Sequence, residues 1–461
     1  MQVSASSPKL VVTSASTFWK PKEAVESQMA LAEFGELKYE QGDQVEVGST
    51  TYQETTRQKL SRTGRKILKK LPYILLGAGA LGITVASAGL LSPLGAAGLA
   101  LGASGALSTV GLSPALKEAV TPKTTELPEG LAAQHTGFEN LKFERLEETS
   151  GPGDGLREMT IANMKRFPNA LHVVHLNGHG HGAKAVAGLT GNQAQDSLKE
   201  AVGATGKKFD VAFYETCYGA NWENLHRQAE VANYAVAFED MIPKSNSKVG
   251  RLNLSEVLGP AVGSENSREA ALSMARTAGH HFDGSPAPIS DVPFIHRNSK
   301  KYRTETWTNT DSTAVAVDLV ALREKLSPSL DQLGQDLSTA LKADSSLAGV
   351  VREAREANRL EESGDLVDLG GFLKTLKGSL TDSSAKKSLD KTLQSLESIL
   401  LHKRTGEDIP LSGLSFHTKP KTLNFANPST PAHDDPSLPQ GWLNFVDQAF
   451  GRSSLQDIFT P

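Results

Sequence analysis

The chain has 461 residues, more than one hydrophobic core usually serves, which points to one large domain with appendages or to two domains. Its formal net charge of -4 gives no global reason to expect a nucleic-acid partner. Cys217 is the single cysteine, so no internal disulfide can form, and it is either a small buried hydrophobe or a reactive thiol.

Residues 1–20 are rich in Ser and Thr, lack acidic side chains, and contain no apolar run of the kind a secretory signal peptide carries, so conventional N-terminal export is not expected. Residues 1–70 therefore read as a Ser/Thr-rich and then basic region that could serve a specialised secretion route. Its end, "RQKLSRTGRKILKK" (57–70), holds seven basic residues and no acid. Charge then disappears from Leu71 to Leu116, where "YILLGAGALGITVASAGLL" and "LGAAGLALGASGALSTVGL" form two lobes of 19 residues each around Ser92-Pro93. Each lobe approaches the ~20 residues a membrane helix needs. The basic flank suits anionic headgroups, and Gly77, Gly79, Gly82, Ala86, Gly98 and Gly102 would let two helices approach closely. Residues 71–116 are thus expected to be a hydrophobic hairpin in contact with membrane lipids; a buried Gly/Ala-rich helical pair or a flexible linker is the alternative. The pattern resembles the bilobed hydrophobic element of type III-secreted effectors.

From about residue 124 the chain reads as α/β. "LREMTIANMKRFP" (156–168) has helical spacing and stops at a proline. "ALHVVHL" (170–176), "FDVAFYETC" (209–217) and "NYAVAFE" (233–239) are apolar runs of strand type with helix-like stretches between them, which argues for a mostly parallel sheet flanked by helices. Residues 313–405 are mostly helical in pattern. A loop-like Pro/Asn/Asp-rich stretch (417–440) precedes "GWLNFVDQAF" (441–450).

Catalytic groups collect beyond the carboxyl ends of strands in a parallel sheet. "HVVHL" runs into "NGHG" and "DVAFYET" into "CYG", so His179 and Cys217 would emerge at one edge if their strands are neighbours. An imidazole beside a thiol raises its thiolate fraction and can protonate a departing amine. The N–H groups of Gly180 and Cys217 could stabilise a tetrahedral oxyanion. A rival reading gathers His172, His175, His179 and His181 around a metal. No carboxylate or cysteine lies at ligand spacing beside them, and His172 and His175 have opposite strand parity, so no metal is assigned. His172 and His175 then read as ordinary strand residues and His181 as a loop residue at the cleft rim. "GHGHG" also lacks the Gly-Lys-Ser/Thr ending of a phosphate loop.

A strand ending in His-Gly, followed by one ending in acid, spacer and Cys, resembles the clan CD, caspase-like cysteine peptidases, and within them the clostripain family. "HGHG" (179–182) is similar to the family's His-Gly-x-Gly. "FDVAFYETCYGANWE" (209–223) resembles its Phe-Asp, apolar run, acid-x-Cys and later Glu. "VANYAVAFEDMIP" (231–243) and pieces as far as "GWLNFV" (441–446) follow in the family's order. The resemblance spans roughly residues 155–450. It implies a caspase-like core over 124–300, with 301–461 as a helical C-terminal part of the peptidase. It further implies His179 as base and acid, Cys217 as nucleophile, and Glu215 as the carboxylate that binds a basic P1 side chain of a protein or peptide substrate. An internal salt bridge is the other reading of Glu215, and Glu223 reads as structural. Calcium is possible by resemblance, with no acidic calcium loop in the chain. "KSNSKVG" (244–250) departs from the family pattern, and "NLKFERLEE" (140–148) is the candidate for the family's first strand. The expected protein is a membrane-associated or host-delivered endopeptidase that cleaves after Arg or Lys. The alternative is a membrane-inserting effector whose peptidase-like domain is a scaffold or cleaves only itself.

Overall fold

The structure, a computed structural model, describes residues 8–18, 37, 41, 44–53, 144–145, 154–178, 180–183, 185–186, 189–240, 242, 254–280, 313–360, 363, 365–404, 411–418 and 437–450. The expected hydrophobic hairpin (71–116), the basic stretch before it and His179 lie outside the described residues. The chain divides into two compact units, Met1–Tyr52 with Gly130–Pro461, and Gln53–Glu129. All that follows concerns the first, apart from Gln53 at a strand end.

In chain order the elements are strands β1 (Leu10–Phe18), β2 (Val45–Gln53) and β3 (Glu144–Arg145), helix α1 (Asp154–Arg166), β4 (Leu171–Gly178), the short pair β5 (Ala185–Val186) and β6 (Leu189–Thr190), α2 (Gly191–Thr205), β7 (Phe209–Thr216), α3 (Trp222–Gln228), β8 (Ala232–Phe238), α4 (Leu254–Val262) and α5 (Ser267–His280). The main sheet has the order β11-β9-β8-β7-β4-β1-β2-β3, with β9 (Ala314–Asp318) and β11 (Leu400–Arg404) supplied from the C-terminal half. β1, β4, β7 and β8 run parallel to their neighbours in that series, whereas β9 is antiparallel to both β8 and β11. This is the α/β arrangement the apolar runs imply, a mostly parallel sheet with helices on both faces.

Burial on both faces explains why the central strands read as nearly continuous apolar runs rather than alternating ones. Val174, Leu176, Ala212, Tyr214, Ala235 and Ala237 pack on one face with α1, α2, α3 and the C-terminal helices. Val173, Val211, Phe213, Val236 and Phe238 pack on the other against α4 and α5. α1 ends with Lys165 and Arg166 in its last turn, where positive charge complements the helix dipole, and Pro168 follows.

The strand beside β4 is not the 140–148 candidate. It is β1, residues 10–18, whose Leu10 pairs with Leu171 and Ser16 with Asn177. Within 140–148 only Glu144–Arg145 is described as strand, at the far edge beside β2. The Ser/Thr content of 10–18 hides its strand character, and the buried Thr13 and Ser14 both have polar partners inside.

The C-terminal half is helical as its pattern implies: α6 (Leu319–Ala321), a π-helical turn (Leu322–Leu326), α7 (Ser327–Ala343), α8 (Leu347–Ala357), strand β10 (Leu366–Asp368), α9 (Leu369–Ser379), α10 (Ser383–Ile399), strand β12 (Ser415–His417) and α11 (Gln440–Phe450). β10 and β12 form a separate antiparallel pair. Asp318, Asp368 and Asp382 cap α6, α9 and α10, each carboxylate accepting from a backbone N–H of the first turn. Trp442 and Phe445 of α11 join Phe372 and Phe416 in one aromatic cluster, with ring centroids 5.2–5.4 Å apart for Phe372–Phe416, Phe416–Trp442 and Trp442–Phe445.

α7 and α11 touch backbone to backbone. A Cβ placed on Gly334 would stand 2.3 Å from the Gly441 carbonyl oxygen, and one on Gly441 would stand 2.3 Å from that of Asp331. Neither backbone can retreat without uncovering Trp442. Gly441→Ala should therefore lower stability by about 1–3 kcal/mol, the range for overpacking, read as a lower urea midpoint. An unchanged midpoint would mean that the α7–α11 contact is dispensable.

Candidate active site

β4 and β7 are adjacent and parallel, with Asn177 opposite Glu215 and Gly178 opposite Thr216. The two strands therefore end at the same edge and level, and Cys217 follows directly on β7. Gly178 ends β4 with φ 136°, a conformation that only glycine adopts readily. His179 is outside the described residues, but Gly180 fixes the path of the chain just beyond it: a Cβ there would lie 2.4 Å from the Cys217 carbonyl oxygen and 2.7 Å from Thr216 Cβ. The backbone after His179 is thus pressed against the end of β7.

Cys217 is half-buried, and its Sγ makes a long contact of 3.8 Å to the Ile242 carbonyl oxygen. The turn after it is tight. Tyr218 has φ 56°, unique among the described non-glycine residues. Its N–H donates to the Asp240 carbonyl at 3.0 Å, and the Ala220 N–H donates to Phe238 at 2.8 Å. These bonds from the β8 end hold the strained turn in place.

Glu215 is buried, and its Oε2 lies 2.9 Å from His175 Nε2. His175 Nδ1 is 3.0 Å from the Ser14 hydroxyl, and its ring stacks on Phe213 with centroids 5.1 Å apart. With Nε2–H donating to the carboxylate, Nδ1 of a neutral ring would accept from Ser14. The internal partner considered for Glu215 is therefore present, and it is a histidine of the neighbouring strand.

His172 has a different environment. Its ring Nε2 is 2.8 Å from the Phe167 carbonyl oxygen, and burial above all lowers its pKa. The four histidines of the rival metal reading therefore do not gather at one place: His172 and His175 have separate partners within the fold, and His181 has others again.

His181 Nε2 lies 3.0 Å from Asp365 Oδ1, and His417 Nδ1 lies 3.5 Å from Asp365 Oδ2. The rings of His181 and Tyr218 meet nearly at right angles, with centroids 5.9 Å apart. Tyr218, Leu360, Leu366 and Leu411 make a small apolar cluster on which Cys217 packs. β10, β12 and the loops beside them thus complete one wall of the site. Asp365 and His417 escape sequence reasoning because they are 184 and 236 residues beyond His181, with no local motif to mark them.

Glu223 does prove structural. It is buried in α3 and its Oε1 accepts the His417 backbone N–H at 2.9 Å. Desolvation pushes its carboxyl up to about 7, against the lowering effect of that hydrogen bond, others to Asn221 and its own backbone, and nearby Arg227. Glu239, at the end of β8, is also raised well above the ordinary range, by burial and then by the neighbouring carboxylate of Asp368.

No protein-family model and no curated protein matches the chain. Solved structures do. A secreted C11 cysteine protease of Bacteroides thetaiotaomicron, iotapain, aligns with a TM-score of 0.50 at 10% identity over 96% of this chain and 99% of that one. A secreted C11 cysteine protease of the same organism in complex with an irreversible peptide inhibitor aligns at 17% identity with a TM-score of 0.41, over 64% of this chain and 78% of that one. An inactive zymogen C11 protease from Parabacteroides distasonis aligns at 13% identity and 0.41, over 67% and 79%. The chain has an α/β fold like that of the C11, or clostripain-family, cysteine proteases.

Glu223 supplies a pH test. Its carboxyl holds a proton in the folded state up to about pH 7, whereas the unfolded chain releases it near 4.5. The folded state binds more protons in that window, so this group makes stability fall as pH rises from 4.5 to about 7 and has no further effect above. The accumulated loss is about 3 kcal/mol at 1.36 kcal/mol per pKa unit. Glu223→Gln keeps an oxygen for the His417 amide and removes the titration. Urea midpoints at several pH values should show the variant gaining on the wild type from acid to neutral pH; parallel curves would refute the assignment.

Proposed function

We propose that the protein is a cysteine endopeptidase with Cys217 as nucleophile and His179 as general base and acid. The observation that carries this reading is the level exit of β4 and β7, with Gly180 packed against the Cys217 carbonyl. The fold similarity to a C11 cysteine protease supports it. In the first half-reaction, His179 accepts the thiol proton as sulfur attacks the scissile carbonyl carbon. The N–H groups of Gly180 and Cys217 stabilise the oxyanion, and the imidazolium then protonates the departing amine. Water, deprotonated by His179, hydrolyses the thioester and frees the new carboxyl terminus.

Basic P1 selectivity is assigned to Glu215. The contact with His175 orients the Glu215 carboxyl, which would pair with the guanidinium or ammonium group of Arg or Lys. Substrates would be proteins or peptides with Arg or Lys at P1, with no nucleic-acid partner. Residues 71–116 would hold the enzyme at a lipid surface, or carry it there after secretion, and so confine cleavage to nearby proteins. Among the described residues no helix is long and apolar enough to cross a membrane.

The test uses the full chain, because β1 comes from residues 10–18 and a fragment beginning near 120 would lack it. Fluorogenic peptides ending in Arg, Lys, Asp or Leu should separate by P1, with Arg and Lys turned over with and without calcium. Cys217→Ala should abolish turnover without changing the circular dichroism. Glu215→Gln should lower kcat/KM on Arg and Lys peptides by about tenfold or more, the order expected for one charge-assisted contact, and leave Leu peptides little changed. Equal loss on all four would assign Glu215 to support of the sheet through His175. A folded wild type silent on every peptide would favour the scaffold or self-cleaving alternative.

A further inference from the structure

We propose that His181, Asp365 and His417 form a binding site for one divalent transition-metal ion, best matched by Zn2+. One donor atom from each residue lies within 4.8 Å of the others. The ion would sit among Nε2 of His181, a carboxylate oxygen of Asp365 and Nδ1 of His417, the atoms that already converge at 3.0 and 3.5 Å. In a tetrahedral site Zn2+ bonds of about 2.0–2.2 Å set two donors about 3.3–3.6 Å apart, so a pair as wide as 4.8 Å would close by about 1.2–1.5 Å, within reach of side-chain rotation. Two imidazoles with one carboxylate suit zinc, whereas calcium and magnesium take mainly oxygen. Three protein ligands leave a fourth position for water.

The backbone segments that carry the donors are held in place. The His417 amide is bonded to Glu223, and the Asp365 carbonyl accepts from both the N–H and the hydroxyl of Thr418, at 2.8 and 3.1 Å. Gly182, with φ +55°, brings the His181 loop in so closely that a Cβ would stand 2.7 Å from His417 Nε2 and 2.9 Å from Asn221 Cγ. Asp365 and His417 are buried and His181 is partly exposed, so an ion has protein on one side and access on the other. Three segments far apart in sequence supply the ligands, and a bound ion would tie the loop that follows His179 to β12. The site stands whether or not the chain is a peptidase.

The experiment takes the full chain stripped with a chelator and titrates it with zinc against a chromophoric competitor. Wild type and Cys217→Ala should each bind one equivalent with the same affinity. His181→Gln and Asp365→Asn should lose more than the roughly 10–100-fold that changes to outer-shell partners cost, with circular dichroism unchanged. Cobalt in place of zinc should give a visible spectrum of nitrogen and oxygen ligation, without the near-ultraviolet band of a thiolate, and this reading holds even if a variant fails to fold. No binding by the wild type at micromolar zinc would overturn the proposal. So would equal affinity in the folded variants, or loss of the site in Cys217→Ala with a thiolate band in the wild type.

Discussion

Parallel pairing of β4 with β7, in a register that sets Gly178 opposite Thr216, constrains everything built at this edge of the sheet. A slip by one residue would turn every side chain of one strand to the opposite face. His175 would then meet the face that holds Leu176 and Tyr214, away from Ser14 and Glu215. A slip by two would restore the faces but separate the strand ends by about 6–7 Å, two residues of rise. Gly180 would then lose its seat against Cys217. Because both faces are apolar, burial alone tolerates such a slip, and the buried His175–Glu215 contact is what opposes it.

The C-terminal half does more than cover a face of the sheet. β12 reaches the turn after Cys217 through the Ser415 N–H, which donates to the Ala220 carbonyl at 3.0 Å, and through the His417 N–H on Glu223. A typical hydrogen bond adds only about 1 kcal/mol net, but an orphaned buried partner costs about 1–3 kcal/mol. Breaking one bond of this clasp therefore weakens folding more than its formation strengthens it. Phe416 anchors the same strand in the aromatic cluster with Trp442 and Phe372, so packing of α11 is transmitted to His417 one residue along the chain.

The central strands were legible in the sequence because both their faces are buried and their residues are almost all apolar. β7, β8 and β4 needed no tertiary information, and their parallel pairing, with β4 and β7 as neighbours, follows from the α/β pattern. β1 was not legible for the opposite reason. "LVVTSASTF" carries Thr13 and Ser14 at buried positions, where Asn163 and His175 supply partners that no local pattern announces. The same limit hid Asp365 and His417. Their chemistry arises where loops from opposite ends of the unit meet, and sequence spacing carries no record of that meeting.

Residue 215 is a glutamate rather than the shorter aspartate, and the structure gives the extra methylene a use. In the register of β4 and β7, His175 is opposite Phe213 and Asn177 opposite Glu215, so His175 and Glu215 are diagonal neighbours. Diagonal neighbours lie farther apart than directly opposite ones, about 7–8 Å, a gap that aromatic and long side chains can bridge. Glutamate and histidine together span that gap and meet at 2.9 Å. An aspartate at 215 would fall short of His175 and leave Nε2 of a buried imidazole without this acceptor. The longer acid and His175 are therefore one paired choice. Ser14 extends the pair to β1, so a carboxylate two residues before Cys217 is braced by three adjacent strands.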